Sequence, residues 1–511
     1  MINLLYIDLF CGAGGTTTGV NAARIDGEEC AKVIACVNHD ANAIASHASN
    51  HPNVLHFTED IRTLELSPLV AHVRKCRSEN PDALTVLWAS LECTNFSKAK
   101  GGQPRDPDSR TLAEHLFRYI EAIDPDYIQI ENVQEFMSWG DVDENGKPVS
   151  KDRGRCYLRW IRNVKRYGYD FEHRILNAAN YGAYTSRKRF FGIFAKKGLP
   201  IVFPEPTHCK NGDKGMFSDL QKWKPVKDVL DFSNEGESIF SRKKPLAEKT
   251  LERIYSGLIK FIAGSKKTIN DQKGRNLAFL SKQFSGHPDS KNISLDEPAG
   301  TITTVDHHAF VSVHYSNGFN VPLDQPAPTL TTKDKLSLVS FSFIANEYSG
   351  GGQVSSIEQP NPAVLTNPKQ KIVTCDRFLM NPQFCSSGSS VDDPCFTLIA
   401  RMDKRPPCIV MTELGDIAIQ ILETDSPMMV KIKEFMALYG IMDIKMRMLT
   451  IDELKLIQGF PQDYVLIGTQ AEQKKFLGNA VEVTIARKLC EALCKGIRDF
   501  DLKEYHSKQA A

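Results

Sequence analysis

Between Leu4 and Ala195 short apolar runs alternate with stretches of helical period, and this restricts the chain to a sheet whose strands are joined through helices. The strand candidates are Leu4–Leu9, 32–37, 84–89, 127–131, 171–176 and 189–194. Helices are predicted at 16–23, 41–48, 112–123 and 157–167. Repeated units of this kind predict an α/β domain with a mainly parallel sheet.

After Phe203-Pro204-Glu205-Pro206 the character changes. The whole chain of 511 residues is nearly neutral, with 63 Lys plus Arg against 62 Asp plus Glu. Residues 206–282, however, hold sixteen basic against nine acidic side chains, a local charge of +7 that includes Arg242-Lys243-Lys244 and Lys266-Lys267. Such a run reads first as a solvated face and second as a phosphate-binding one. From about 284 to 412 four degenerate units recur at 295–303, 323–331, 357–366 and 391–398. They are built on Pro298, Pro326, Pro360 and Pro394, spaced by 28, 34 and 34 residues. Turn chemistry at Asp-x-Pro between β-branched segments predicts short strands. The segment 428–495 reads as helical again, including Ile451–Ile457 and 481–495.

Thirteen cysteines are scattered from Cys11 to Cys494 with no CxxC pair and no Cys/His cluster at zinc-ligand spacing, so a reducing compartment and no metal are expected. With no charged leader at Met1–Ile7 and no run of ~18 apolar residues, no membrane partner is expected and the location is cytoplasmic.

Six short segments carry chemistry. Phe10-Cys11-Gly12-Ala13-Gly14-Gly15 ends the first strand and opens a helix, where open α/β sheets bind nucleotides. Without a following Lys it is no P-loop, and an adenosyl ligand fits best. Asn38-His39-Asp40 ends the second strand, suited to ribose hydroxyls, and Asp60-Ile61 offers a carboxylate to an adenine amino group. Cys93-Thr94-Asn95-Phe96-Ser97 follows the strand at 84–89. A lone cysteine is usually a small buried hydrophobe, but this one shares the strand-end rim with Glu131-Asn132-Val133. Arg187-Lys188-Arg189 precedes a further strand.

Taken together these segments resemble the DNA cytosine-5 methyltransferase family. The resemblance extends to Arg447-Met448-Leu449-Thr450, Glu453, Gln458-Gly459-Phe460-Pro461 and Gly478-Asn479-Ala480-Val481. It implies a Rossmann-like methyltransferase sheet with helices on both faces and an inserted, mostly β target-recognition domain. The chain then divides into a catalytic domain at 1–205, the insert at 206–440, a segment at 441–495 that completes the catalytic domain, and a tail at 496–511. Two spatial domains result, where length alone suggests about three.

The resemblance also implies S-adenosylmethionine as methyl donor. Phe10, Gly12, Gly14 and Gly15 would hold it, with Asn38, His39, Asp60, Ile61, Asn479 and Val481. Cys93 is the implied nucleophile, Glu131 and Arg189 stabilise the attacked ring, and Arg187 adds positive potential near the thiol. The implied partner is double-stranded DNA, with a cognate restriction endonuclease or a phage modification system as context. Glu92 stands where the family has Pro, Thr94 where it commonly has Gln, and Asn38 where a ribose-binding Glu is usual. Other readings of the same motifs are an RNA cytosine-5 methyltransferase and a decayed DNA-binding homologue.

Overall fold

A computed structural model of the chain describes residues 2–91, 113–140, 154–215, 218–234, 236–259, 421–439, 441 and 443–500, and short strands between 278 and 413 by their backbone. Seven strands form the principal sheet: β1 Leu4–Leu9, β2 Ala31–Val37, β3 Leu55–Phe57, β4 Leu84–Ser90, β5 Tyr127–Asn132, β6 Tyr169–Asn177 and β7 Lys188–Lys196. Their order is β3-β2-β1-β4-β5-β7-β6. All neighbours are parallel except β7, which runs antiparallel to both β5 and β6.

Both faces of the sheet are buried, and the two-residue period of a strand divides its side chains between them. Leu5, Ile7 and Leu9 of β1 pack on one side with Leu87 and Ala89 of β4. That layer is covered by the helices α3 Ser67–Glu79, α4 Leu116–Ile123 and α5 Arg155–Lys165. Leu4 and Tyr6 face the other way with Val86 and Trp88. Here the cover is α1 Gly15–Asn21, α2 Ala41–Asn50 and, from the far end of the sequence, α10 Val483–Arg498. In α10 the residues Ile485, Leu489, Cys490, Leu493 and Ile497 recur at helical spacing and are buried.

Between the halves lie α6 Glu248–Leu258, α7 Pro427–Tyr439, α8 Ile451–Ile457 and α9 Gln470–Asn479. Within the inserted region β8 Ala278–Ser281, β9 Ala309–Val313, β10 Phe378–Met380, β11 Ser389–Ser390, β12 Cys408–Glu413 and β13 Asp443–Met448 pair antiparallel into a ring. The ring closes because Met446 of β13 lies opposite both Val311 of β9 and Val410 of β12. The described face of β13 packs Ile444 and Met446 against Leu251 and Ile254 of α6 and Ile432 and Met436 of α7.

Some expected elements differ. The stretch 428–495 is not helical throughout, since β13 occupies part of it with Ile444 and Met446 alternating against Asp443 and Lys445. The helix expected at 112–123 is Leu116–Ile123, and that at 157–167 is Arg155–Lys165. The four prolines of the repeats, Lys266-Lys267 and residues 501–511 lie outside the described residues, while the first residues of the expected tail, 496–498, continue α10. No described helix is long and apolar enough to cross a membrane.

Candidate active site

The strand order reverses between β1 and β4. The chain proceeds from β1 outward to β2 and β3, then returns to place β4 on β1's other side. Loops leaving the carboxyl ends of two such strands diverge and leave a crevice, the usual ligand site of open α/β sheets. The loop after β1 is 10–14, and the segment after β4 begins at Leu91.

Phe10, Gly12 and Gly14 all have positive φ, 60°, 52° and 102°. Phe10 has a Cβ and bears a cost of about 1–2 kcal/mol there. Its ring, packed against the core, holds it in place. The glycines serve different ends. A Cβ on Gly14 would stand 2.4 Å from Tyr464 Oη, and one on Gly15 would stand 2.4 Å from the Val481 carbonyl oxygen. Both positions therefore make room for the C-terminal segment. At Gly12 the Cβ position has nothing within 4 Å.

Asn38 follows β2 and turns its Oδ1 back to accept the Asp40 N–H at 2.9 Å, while His39 is exposed. Asp60 is held by Arg62 at 2.6 Å, and that guanidinium keeps its carboxyl below the usual range. The Ile61 side chain lies in the core, and its carbonyl accepts the Tyr119 hydroxyl at 2.9 Å. Asn479 ends α9 exposed, and Val481 is buried against Gly15.

Cys93 lies outside the described residues. Ser90, three residues before it, is paired across the sheet with Glu131 at the end of β5. The Asn132 side-chain amide donates to the Leu91 carbonyl at 3.4 Å, tying the two strand ends together. Glu131 lies opposite Phe191 on the antiparallel β7. Arg189, two residues from Phe191 and so on the same face, reaches back diagonally. Its Nε stands 3.3 Å from Glu131 Oε1. Arg187 is buried just before β7 and donates to the Gly478 carbonyl at 3.0 Å.

Burial pushes the Glu131 carboxyl above its usual range, against the opposing pull of Arg189 and Arg187. A second carboxylate shares this crevice, that of Glu482, with Val481 and Ile485 beside it. Glu482 caps α10 by accepting the Ile485 N–H at 2.8 Å, and burial pushes its pKa up to about 7. The sequence reading omits Glu482, because a Glu before an apolar helix reads as an ordinary cap.

Residues 447–461 brace the crevice from outside. Arg447 grips Glu453 through both terminal nitrogens at 2.8 and 2.7 Å and donates to the Asp231 carbonyl at 2.6 Å. Glu453 also completes a capping box with Thr450. Gln458 donates to the Leu477 carbonyl at 2.7 Å, so this element holds the end of α9 that Arg187 meets.

The sequence profile of C-5 cytosine-specific DNA methylases matches residues 4–276 and 408–495. The chain belongs to this family. Among curated relatives, the type II methyltransferase M.AgeI of Thalassovita gelatinovora is 28% identical over 211 residues, 41% of this chain and 44% of its own length. The type II methyltransferase M.XorII of Xanthomonas oryzae is 29% identical over 210 residues, 40% of this chain and 44% of its own. The chain thus spans under half the length of these two relatives. A solved methyltransferase structure from Entamoeba histolytica covers 97% of this chain and 99% of its own at 12% identity, with a TM-score of 0.43 too low to inform the site. In this C-5 cytosine-specific DNA methylase the profile skips most of the region that holds the ring of short strands.

Proposed function

We propose that this C-5 cytosine-specific DNA methylase transfers a methyl group to carbon 5 of a flipped-out cytosine in a specific double-stranded DNA sequence. The observation that carries the reading is the buried Glu131–Arg189 pair, with Arg187 beside it, across the sheet from the strand that leads into Cys93.

Carbon 5 of cytosine is a poor nucleophile until the ring is activated. The Cys93 thiolate adds at carbon 6, forming a sulfur–carbon bond and pushing an electron pair into the ring. Glu131, inclined by burial to keep its proton, hydrogen-bonds ring nitrogen 3 as charge builds there. Arg189 faces the exocyclic oxygen and Arg187 adds positive potential that favours the thiolate. Once carbon 5 is methylated, solvent takes its proton, the carbon–hydrogen electron pair re-forms the ring double bond, and the sulfur–carbon pair leaves with the Cys93 thiolate. Extrusion of the base from the duplex costs about a few kcal/mol, which contacts from the inserted domain at 206–440 offset.

When bound, S-adenosylmethionine supplies an electrophilic methyl group. The residues suit such a donor: Gly12 leaves open space, and polar Asn38, His39 and Asp60 stand at the ends of neighbouring strands. Phe10, Gly14, Gly15, Ile61, Asn479 and Val481 complete its surroundings. The type II relatives favour a restriction–modification setting with a cognate endonuclease, and action in the cytoplasm.

A duplex carrying 5-fluorocytosine tests the mechanism, since the fluorine cannot leave as a cation and the adduct persists. A denaturation-resistant complex that Cys93→Ala abolishes is expected. Absence of any adduct with the wild-type chain, at a site that bisulfite sequencing shows it to modify, would overturn the mechanism.

A further inference from the structure

Beneath the loop that follows β1, four side chains from separate places in the chain converge. Cys11 comes from the loop, Cys36 from β2, His47 from α2 and His56 from β3. Ligand atoms of the buried Cys11, Cys36 and His47 all lie within 4.8 Å of one another. Cys36 Sγ is 3.8 Å from His47 Nδ1, and that nitrogen is 2.9 Å from His56 Nε2. The positions 11, 36, 47 and 56 follow no zinc-ligand spacing, so only the fold assembles the group.

We propose that Cys11, Cys36, His47 and His56 form a tetrahedral site for a zinc-like divalent cation, which pins the loop after β1 to α2 and β3. Two thiolates and two neutral imidazoles are a preferred zinc set. With a divalent ion they sum to zero charge, which suits a site with Cys36 and His47 wholly out of water. Zinc bonds of ordinary length place neighbouring ligand atoms about 3.3–3.8 Å apart. The Cys36–His47 separation already matches. His56 stands outside the group of three whose ligand atoms lie within 4.8 Å of one another, so it must both open its His47 contact by a few tenths of an ångström and swing toward the sulfurs, a movement open to a half-buried side chain.

The surroundings support the same reading. A metal-bound histidine normally anchors its other ring nitrogen through hydrogen bonds that end on a carboxylate or carbonyl. His47 Nε2 lies 2.9 Å from Thr17 Oγ1, and Thr17 donates to Asp8 Oδ2 at 3.0 Å. That relay leaves Nδ1 facing the sulfurs. The other Asp8 oxygen is buried with no hydrogen-bond partner. His56 is partly exposed and gives an ion its way in. The second thiol cluster, Cys30, Cys490 and Cys494, has three sulfurs and no imidazole, and would leave a buried net charge on a divalent ion.

The test is metal content of the full chain after dialysis against metal-free buffer, followed by Co²⁺ titration of the metal-stripped protein. One zinc per chain is expected, with a thiolate-to-cobalt charge-transfer band and intense tetrahedral visible bands. Cys36→Ala and the milder His56→Gln should each lower retained zinc at least tenfold, with circular dichroism verifying the fold, while Cys494→Ala leaves it unchanged. A chain that retains no zinc and gives no tetrahedral cobalt spectrum overturns the site. So does zinc that survives Cys36→Ala with His56→Gln, or that follows Cys494 instead.

Discussion

Arg189 and Glu131 form an ion pair at 3.3 Å with both side chains less than a tenth exposed. A buried pair contributes little net stability, but removing one partner strands the other. Arg189→Ala should cost about 3–5 kcal/mol at pH 7, read by urea unfolding. The cost should shrink as pH falls, because the Glu131 carboxyl, already raised by burial, takes a proton more readily and then needs no partner. Glu131→Gln keeps the shape and should lower turnover at least ~100-fold with a much smaller change in unfolding midpoint.

Glu482 makes a pH signature of its own. Burial raises its folded pKa to about 7 from an ordinary 4.5. Below the unfolded value both states hold the proton and no penalty exists. As pH rises from about 4.5 to 7 the unfolded state ionises first, so stability falls. Glu482→Gln retains an oxygen for the α10 cap and removes this penalty. It should be more stable than wild type by on the order of 2 kcal/mol at pH 8, with the two curves converging near pH 4.5.

Gly19 sets how closely α1 meets α10. A Cβ there would stand 2.6 Å from the Val483 carbonyl oxygen, 2.7 Å from Ala486 Cβ and 2.9 Å from the Arg487 nitrogen. Two of these are backbone atoms that cannot turn aside. Gly19→Ala should therefore destabilise by about 1–3 kcal/mol despite its better helix propensity, seen as a lower Tm. Gly27→Ala also removes a glycine, but its Cβ meets nothing within 4 Å, so it adds only the backbone strain of φ 83°. An equal Tm loss at both positions would exclude the close packing as the cause.

The basic triplet after the catalytic motifs divides in two. Arg242 is spent on the Met446 carbonyl of β13, whereas Lys243 and Lys244 are exposed. Replacing both lysines by Gln should weaken duplex binding evenly across sequences and reduce the slope of log affinity against log salt by about two. Filter binding at several salt concentrations measures it. An unchanged slope would return the lysines to the solvated surface.

The sheet was legible because its strands are buried on both faces and so read as apolar runs, with β1 matching residue for residue. Helix α3 was missed, although Pro68 in its first turn is a helix-start signal, because its sparse apolar stripe of Leu69, Val73 and Cys76 is weak. Strand β3 has three half-buried residues, too few to show a period. Strand β13 lay hidden between helices. At the site, Glu131, Arg187 and Arg189 were visible as motif residues, and the fold brings them to one crevice. Nothing in the sequence marks Glu482, or joins Cys11 to His56, because those relations exist only after strands have been ordered. The nucleophile loop and the repeat prolines were prominent in the sequence and fall outside the described residues.

Arg498 donates to the Asn3 side chain at 3.2 Å, and the Cys494 thiol reaches the Cys30 carbonyl. The helix bearing Arg498 and Cys494 completes the cover of one face of β1 and β4, so that face has only α1 and α2 over it while a ribosome makes the several hundred residues in between. Vectorial synthesis therefore cannot finish this domain in order. Because closure entropy grows only slowly with loop length, the intervening region can fold on its own schedule at small thermodynamic cost. Its burden is kinetic: a nascent chain in which the layer of Leu4, Tyr6, Val86 and Trp88 stays incompletely covered until α10 arrives.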